Sequence, residues 1–231
     1  CTLIVADYAQ IELRVMAMYS RDENMMSIFT TDTDIHAGAA ALIFTKPVEE
    51  VSADERQIGK AANFLTAYGG GAGKLSATAG ISLTHAKHVI NRYYEQFSGL
   101  TSWKRRVVDR ARRDGFVTTI SGRRRRLPDM LSASEELRSR AERQAINAVV
   151  QGSASDICKK AMIKACPEIK GINGRLLVQV HDELVVSVPD DDEVNCYVDT
   201  LRMSMGHGRI LKDVPLVVSA HTGATWSEAK E

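Results

Sequence analysis

Two apolar runs that flank a pair of acidic residues place the strongest constraint on the fold of this chain. Residues 176–180 and 184–188 have the length and composition of β-strands, and only His181, Asp182 and Glu183 separate them. This pattern predicts a β-hairpin. Two adjacent carboxylates at the tip of an apolar hairpin are costly to place there unless positive charge meets them. The sequence therefore predicts that a metal ion or another polar ligand binds at this hairpin.

A second apolar run ends in an aspartate near the start of the chain. Residues 3–6 read as a strand, and Asp7 follows them directly. If this strand lies beside the hairpin, Asp7 and Asp182 converge on one point. Sites that offer only oxygen ligands suit Mg²⁺. Two such ions bridged by carboxylates serve in-line phosphoryl transfer, so this chemistry is the first candidate.

The composition narrows the class of protein. A length of 231 residues allows one large domain or two small ones, and the net charge of +1 provides no overall field for attracting nucleic acid. The four cysteines lack C-x-x-C spacing, which favours free thiols in a reduced cytosolic protein. We expect no membrane span and no signal peptide. Five histidines show no metal-ligand spacing: His36, His85, His88, His207 and His221.

A predicted helix after residue 52 carries four side chains on one face. Ser52 and Glu55 form the pattern of a capping box at its start. Every fourth position from 56 to 68 then holds Arg56, Lys60, Phe64 and Tyr68. Cations followed by aromatic rings match the phosphates and the base of a nucleoside triphosphate. A solvated basic face that merges into an aromatic core pair is the alternative interpretation.

The glycine-rich segment after this helix resembles a phosphate-binding loop but fails its template. Residues 69–74 read Gly-Gly-Gly-Ala-Gly-Lys, yet Tyr68 stands where the first glycine is required and Leu75 follows the lysine. The segment also follows a helix, whereas a P-loop follows a strand. We interpret it as a flexible hinge.

Basic residues cluster between positions 104 and 126. A long helix over 100–113 is predicted to end at Gly115, and a strand over 116–120 is predicted to lead into a hairpin turn. Only Asp109 and Asp114 oppose the cations of this region, so contact with phosphates is the favoured interpretation over a merely solvated face. The cations are Lys104, Arg105, Arg106, Arg110, Arg112, Arg113, Arg123, Arg124, Arg125 and Arg126.

A further helix is predicted over 135–149, with an interruption at 151–156, a second helical part to Cys166 and a link over 167–174. Arg143, Asn147 and Gln151 recur at intervals of four, so they form either the wet side of a helix or a surface that binds bases and sugars. The last predicted strand covers 214–220. Two further helices are predicted over 10–19 and 25–29. Three more are predicted with caps: one over 36–44 capped within 32–34, one to 97 capped by Ser82 or Thr84, and one to 205 capped within 189–192.

Three of these segments together resemble the motifs of family A DNA polymerases, the bacterial DNA polymerase I type. Residues 7–14, Asp-Tyr-Ala-Gln-Ile-Glu-Leu-Arg, resemble motif A; the series from Arg56 to Gly69 resembles motif B; and residues 178–184, Val-Gln-Val-His-Asp-Glu-Leu, resemble motif C. Residues 119–124, 147–152 and 213–216 also fit, and all occur in the family order. The resemblance covers essentially the whole chain.

The resemblance implies an α+β fold, with an antiparallel palm sheet and packed helices plus a mostly helical fingers subdomain. Residues 1–33 and 134–231 would form the palm and 34–133 the fingers. The thumb, the exonuclease and the first part of the palm would lie upstream of motif A. Because the chain starts with Cys1 and enters a strand within three residues, we expect it to be part of a larger or split polymerase, which could join an upstream fragment.

The resemblance also assigns roles to individual residues for template-directed DNA synthesis from dNTPs on a primer–template. Asp7, Asp182, Lys60 and Glu183 would be catalytic, and Asp7, Tyr8 through its carbonyl, and Asp182 would hold two Mg²⁺ ions. The nucleotide-binding residues would be Arg56, Lys60, Phe64, Tyr68, Gln10 and Glu12, with Glu12 as the steric gate against the 2′-hydroxyl. The DNA-binding residues would be Arg123, Arg143, Asn147, Gln151 and His181.

Some positions depart from the family pattern, and other functions compete with DNA synthesis. Leu65 and Ala9 replace the usual Gly and Ser, and Gly70 and Gly71 loosen the end of the helix, so we expect altered nucleotide selection or closure. The alternatives are a non-catalytic DNA-binding remnant, a two-metal nuclease and an α+β domain with a purely structural acidic hairpin. The retention of Asp7, Asp182, Arg56 and Lys60 argues against the first alternative. The stripe from Arg56 to Tyr68 argues against the second, because a nuclease has no use for a triphosphate site.

Overall fold

The computed structural model describes residues 1–206 and 210–230, which form two compact units. The sheet unit comprises Cys1–Glu12 and Gln151–Glu231, and the helical unit comprises Leu13–Val150. His207 lies outside the described residues. The palm and fingers boundaries inferred from the resemblance stay a prediction.

Strands and helices follow in an order that confirms the α+β class. In chain order they are β1 (Thr2–Tyr8), α1 (Ile11–Ser20), α2 (Glu23–Thr30), α3 (Ile35–Phe44), α4 (Ala53–Ala67), α5 (Ala72–Ala79), α6 (Leu83–Gln96), α7 (Ser98–Asp114), β2 (Phe116–Thr118), β3 (Arg124–Arg126), α8 (Glu135–Gly171), β4 (Arg175–Val180), β5 (Glu183–Val188), α9 (Val194–Gly206) and β6 (Val218–Gly223). Short 3-10 turns cover Val48–Glu50, Pro128–Leu131 and Glu228–Lys230.

The sheet unit is built on a four-stranded antiparallel sheet in the order β4-β5-β1-β6. The predicted hairpin is confirmed as β4 and β5, and the predicted neighbour of the hairpin is β1. Asp7 pairs with Glu183, and Val5 pairs with Val185. Since side chains alternate between the two faces of a sheet, these four residues share one face. The other face contributes fully buried apolar side chains to the core, Ile4 among them.

The predicted strand over 214–220 is displaced along the chain. Strand β6 begins at Val218 and ends at Gly223, and its pairing with β1 starts with Tyr8 opposite Val218. Pro215 has no N–H to donate to a ladder. Before the strand, the N–H of Ala9 donates to the carbonyl of Val217 at 2.9 Å. The prediction placed the start of the strand too early, because it relied on the apolar composition of 214–217.

The predicted interruption of the helix at 151–156 is wrong, because α8 is continuous from Glu135 to Gly171. A glycine inside a helix costs only about 1 kcal/mol relative to alanine. Ser153, Ala154 and Ile157 are all buried, and their burial outweighs this cost. The link predicted over 167–174 is also largely helical, with Pro167 inside the last turns.

The predicted hinge over 69–74 is wrong in its second half, where α5 begins at Ala72. Leu75 is fully buried and anchors this short helix, and Gly80 ends it in a left-handed conformation at φ 65°. Only the first glycines form a turn, in which the N–H of Gly70 donates to the carbonyl of Leu65 at 2.6 Å.

The start and stop signals of the helical unit are confirmed by side-chain hydrogen bonds. Asp34 caps α3, and Ser82 caps α6. Ser52 and Glu55 form both bonds of the capping box of α4. Gly115 ends α7 at φ 73°, and the basic hairpin follows as β2 and β3. No helix within residues 1–206 and 210–230 is long and apolar enough to cross a membrane.

Candidate active site

The carboxylates of the sheet unit meet where β1 ends and the β4–β5 hairpin turns. Asp7 stands opposite Glu183 in the ladder, and Asp182 occupies the two-residue turn before Glu183. His181 takes the other turn position with a left-handed φ of 54°, which non-glycine residues rarely adopt. The side-chain amide of Gln179 donates to the carbonyl of His181 at 3.0 Å and braces the turn.

The crowding of these carboxylates changes the protonation of Asp7. The pKa of Asp7 is raised to about 6, chiefly by burial and then by the negative charges of Asp182 and Glu183. A hydrogen bond with the side chain of Asp182 adds to the rise, and the backbone N–H of Tyr8 opposes it. Bringing a cation to this point would offset the repulsion. The predicted convergence of Asp7 and Asp182 is therefore present in the structure.

Tyr8 follows Asp7 but directs its side chain into the core of the sheet unit. The ring is 1% exposed, and its hydroxyl donates to the carbonyl of Met205 at 2.8 Å. Burial raises the pKa of this phenol above its ordinary value. The side chain therefore fixes the backbone beside Asp7, and the metal contact of the Tyr8 carbonyl stays a prediction.

The donor set of the sheet unit fits Mg²⁺ in kind and in number. Within residues 1–206 and 210–230 no group of three or more His, Cys, Asp and Glu side chains could by itself hold a metal ion. Mg²⁺ commonly takes one or two protein carboxylates and completes its octahedron with water and substrate phosphates. Asp7 and Asp182 supply that number of carboxylates.

Glu183 differs from the two aspartates because protein donors occupy both of its oxygens. Trp226 Nε1 donates to Oε1 at 2.9 Å, and Lys230 Nζ lies 3.1 Å from Oε2. Its side chain is only 10% exposed. The catalytic role that the resemblance gave to Glu183 stays a prediction, and these contacts indicate a carboxylate held in place.

Two further residues of the predicted nucleotide site follow β1. Gln10 is exposed in the turn before α1, with a left-handed φ of 49°. Glu12 lies in the first turn of α1 and is partly buried. Their predicted roles toward the nucleotide are not tested by these positions.

In the helical unit, α4 carries the predicted stripe, and its cations differ in their surroundings. Arg56 Nη2 lies 2.7 Å from Asp34 Oδ2. Burial raises the pKa of Asp34, but the hydrogen bonds from Arg56, Ala37 and His36 outweigh it, so this pKa lies below its ordinary value. Arg56 therefore already has an anionic partner, and a phosphate that bound Arg56 would share the guanidinium with Asp34.

The other members of the stripe line a cavity of about 560 Å³ within the helical unit. Lys60 is exposed, and Phe64 and Tyr68 are 41% and 36% exposed. Across the cavity lie Lys74 of α5 and Arg143 of α8. Cations and partly exposed rings thus surround one space of ligand size. This arrangement supports a site for phosphates and a base more than the alternative of a core aromatic pair.

Two glycines allow close packing around α4 and beside the cavity. Gly59 lets α4 lie close to α3, because a Cβ there would clash with the carbonyl oxygen of His36. Gly69, at φ 73°, lies under the Arg143 side chain, and a Cβ at this position would be 2.8 Å from Arg143 Cγ. A side chain at Gly69 would therefore displace Arg143 from the cavity.

The predicted DNA-binding residues lie at three places. Arg143, Asn147 and Gln151 are spaced by four residues in α8, where Arg143 Nη1 donates to Ser139 Oγ at 2.8 Å. Arg123 is exposed in the turn of the β2–β3 hairpin, and its carbonyl accepts from the N–H of Thr119. His181 is exposed in the turn of the other hairpin.

Comparison with known proteins then decides the family. The family model of DNA polymerase family A matches residues 1–228. The chain belongs to DNA polymerase family A. DNA polymerase I of Pseudomonas aeruginosa is 41% identical over 229 residues, which are 98% of this chain and 25% of that protein. DNA polymerase I of Bacillus subtilis is 41% identical over 230 residues, 99% of this chain and 26% of that protein.

A solved structure of another family A member has the same fold. The POL domain of Pol1 from M. smegmatis, in complex with DNA primer-template and dNTP, superposes with a TM-score of 0.92 at 40% identity. It covers 100% of this chain, which corresponds to 41% of that chain. The resemblance deduced from the motifs is confirmed. The family A chain described here spans about a quarter of the length of the curated relatives it matches.

Sequence reasoning missed three groups beside the family A motifs. Lys74 and Thr78 of α5 line the cavity because α5 is a helix and not a hinge. The buried Leu75 within a run of small residues was the available signal. Asp34 as the partner of Arg56, and Trp226 and Lys230 as the partners of Glu183, had no signal in the sequence because these contacts join distant positions.

Proposed function

We propose that this chain carries out the nucleotidyl-transfer step of template-directed DNA synthesis. The observation that carries the proposal is the meeting of Asp7 and Asp182 in the sheet unit, on a chain of DNA polymerase family A. The primer 3′-oxygen would form a bond to the α-phosphorus of a dNTP, and the bond to pyrophosphate would break. The proton of the 3′-hydroxyl would pass to solvent.

Asp7, Asp182 and the Tyr8 carbonyl would hold the metal ions of this reaction. When bound, two Mg²⁺ ions would lower the pKa of the 3′-hydroxyl and neutralise charge on the leaving pyrophosphate. The role of the protein is to fix the oxygens that hold them, and the β1–β5 ladder does this for Asp7. The raised pKa of Asp7 supports the proposal, because a bound cation would offset the repulsion between Asp7 and its neighbouring carboxylates.

The helical unit would bind the incoming nucleotide through α4. Lys60 and Arg56 would contact the triphosphate, and Phe64 and Tyr68 would pack on the nucleotide and beside the templating base. Gln10 and Glu12 would contact the sugar, where Glu12 would exclude a 2′-hydroxyl. The exposure of Lys60, Phe64 and Tyr68 around one cavity supports these roles. Phosphoryl transfer depends mainly on such positioning and charge neutralisation.

The primer–template would contact Arg123, Arg143, Asn147, Gln151 and His181. Their cations and amides, which are exposed except for the partly buried Asn147, are groups that bind phosphates, sugars and base edges. The complex of the M. smegmatis relative supports DNA as the partner. This chain spans about a quarter of the length of its curated relatives, which supports a role as part of a larger polymerase. Further segments of that polymerase would grip the duplex.

Primer extension tests the proposal. The chain would be incubated with a primed template, four dNTPs and Mg²⁺, alone and with a family A fragment that carries the upstream segments. We expect extension by the chain or the complemented mixture, and a loss of about 10³-fold or more for Asp182→Asn, because a metal-holding carboxylate is removed. Asp192→Asn is the matched control, since Asp192 is an exposed aspartate outside the site.

Two outcomes would contradict the proposal. Extension that survives Asp182→Asn at the wild-type rate would place the chemistry elsewhere. Absence of extension in every mixture, with primer–template binding retained, would favour a non-catalytic DNA-binding member of the family.

A further inference from the structure

The carboxylate of Glu183 is held by two side chains that follow it by more than forty residues. The indole N–H of Trp226 donates to one oxygen at 2.9 Å, and Lys230 Nζ lies 3.1 Å from the other. Lys230 Nζ also lies 5.2 Å from the centre of the Trp226 ring, a distance at which a cation and an aromatic face attract. Both oxygens of Glu183 therefore have protein partners.

The segment that carries Trp226 and Lys230 is fixed by packing that is independent of Glu183. Ala229, in the 3-10 turn Glu228–Lys230, is fully buried against Val5 and Val185. Gly223 allows this approach, because a Cβ there would lie 2.6 Å from the Ala229 nitrogen. The N–H of Ala224 donates to Glu228 Oε2 at 3.0 Å and closes the turn. The donors are thus presented to Glu183 by a docked turn.

The position of this turn matters because Glu183 stands directly across the ladder from Asp7. Their side chains share a face of the sheet, and like charges directly opposite each other are destabilising. Lys230 supplies one positive charge on the Glu183 side of this pair. The indole of Trp226 adds a directional contact without charge. Together they balance the negative charge of Glu183 and fix the orientation of its carboxylate.

We propose that Trp226 and Lys230 are positioning residues that hold Glu183 out of the metal-ligand set, so that Asp7 and Asp182 alone offer carboxylates to divalent cations. This inference rests on the proposed function for its catalytic meaning. Mg²⁺ must keep positions open for substrate phosphates. A third carboxylate that entered the set would occupy such a position, bind cations more tightly and slow nucleotidyl transfer.

Four variants separate this role from a merely structural one. Trp226→Phe keeps the ring and removes only the N–H donor. Lys230→Met removes the charge at similar length, and Lys230→Arg restores it. Glu183→Gln keeps the shape of the acceptor and removes its charge. The matched controls are Trp103→Phe, at the other tryptophan of the chain, and Lys87→Met, at an exposed lysine of α6.

The first measurement is a titration of the full chain with Mn²⁺ alone, without DNA or nucleotide. We expect Trp226→Phe and Lys230→Met to lower the Kd for Mn²⁺ by about threefold or more, since a released unit charge attracts the ion. Lys230→Arg and both controls should stay within about twofold of the wild type. Glu183→Gln in the Lys230→Met background should cancel the gain, because the released charge is gone.

The second measurement is the indole N–H resonance of Trp226, which Trp103→Phe identifies by removing the other indole signal. We expect this resonance to shift in Glu183→Gln and to exchange faster with solvent. In primer extension, Trp226→Phe and Lys230→Met should lower kcat by about fivefold, with KM for dNTP within about twofold. Circular dichroism confirms that each variant is folded.

The proposal is overturned if Trp226→Phe and Lys230→Met leave the Mn²⁺ affinity unchanged, or if the Trp226 resonance does not respond to Glu183→Gln. A lower kcat with unchanged metal affinity also overturns it, since a general loosening of the sheet would explain that result. The titration and the resonance require no DNA synthesis. Failure of the proposed function would therefore leave this test intact.

Discussion

The two units of the molecule present their charges in opposite ways. In the sheet unit, Asp7 and Glu183 are brought together by a β-ladder between distant segments. In the helical unit, Lys60 projects from one face of α4 beside exposed rings. Buried carboxylates that lie close together repel each other and need partners built into the fold. Exposed cations are solvated by water, so they need no anionic partner within the protein.

This difference determines which residues each unit needs beyond its motif. The carboxylates depend on a docked turn that brings Lys230 to Glu183. The stripe of α4 depends on helical periodicity and on the capping box at Ser52, both of which are local. Arg56 is the intermediate case, because it is exposed but has Asp34 as a partner.

The largest effect is expected at Lys60, the exposed cation of α4 that lines the cavity of the helical unit. Lys60→Met should lower kcat/KM for dNTP by about 10²–10³-fold, because one preorganised charge toward the triphosphate is lost. Thermal unfolding should change little, since the side chain is exposed. Steady-state primer extension measures the effect. Lys87→Met is the control, and an equal loss in that variant would refute the role of the α4 stripe.

A smaller effect is expected from Lys104, a partly buried cation within the helical unit. Burial lowers the pKa of Lys104 to about 8, and its Nζ donates to the carbonyl of Thr66 at 2.5 Å. Between pH 8 and 10.5 the unfolded chain binds the proton that the folded chain has released, so the free energy of unfolding rises with pH. Compared with Lys104→Met, the wild type should gain about 2 kcal/mol between pH 8 and pH 10.

Denaturant unfolding of both proteins across this pH range measures the gain attributed to Lys104. Parallel profiles would show that the buried position does not perturb the lysine. That result would also weaken the contrast between the two units, since the helical unit would then tolerate a partly buried cation as easily as an exposed one.

The smallest effect is expected at the start of α4. Ser52→Ala removes the side-chain acceptor for the N–H of Glu55 and should lower the free energy of unfolding by about 1 kcal/mol. Ser52→Gly should cost only a few tenths of a kcal/mol, because glycine leaves the orphan N–H open to water. Thermal unfolding ranks the two variants. If both cost the same, the capping box would not be what fixes the start of α4.

The local signals of the sequence predicted much of this fold correctly. The capping box of Ser52 and Glu55 was predicted because a short polar side chain satisfies free N–H groups at a helix start. The hairpin around Asp182 was predicted from two apolar runs of strand length. The α4 stripe followed from periodicity alone. Each of these features depends on residues within a few positions of each other.

The errors share a different cause. Gly152 suggested a break in α8, but burial of Ile157 and its neighbours outweighs the cost of a glycine. The glycines before Lys74 suggested a hinge, but the buried Leu75 holds α5 as a helix. In both regions local propensity was weak, and packing against distant residues decided the structure.

The sequence by itself determined the caps, the helical stripe, the strands that end in carboxylates and the motifs that identify family A. The tertiary structure alone decided that Asp7 faces Glu183, that Trp226 and Lys230 hold Glu183, and that Lys74 and Arg143 line the same cavity as Lys60. The physical reason is range. Hydrogen bonds within a helix or turn are set by neighbouring residues, whereas the partner of a buried charge is chosen by how distant segments pack.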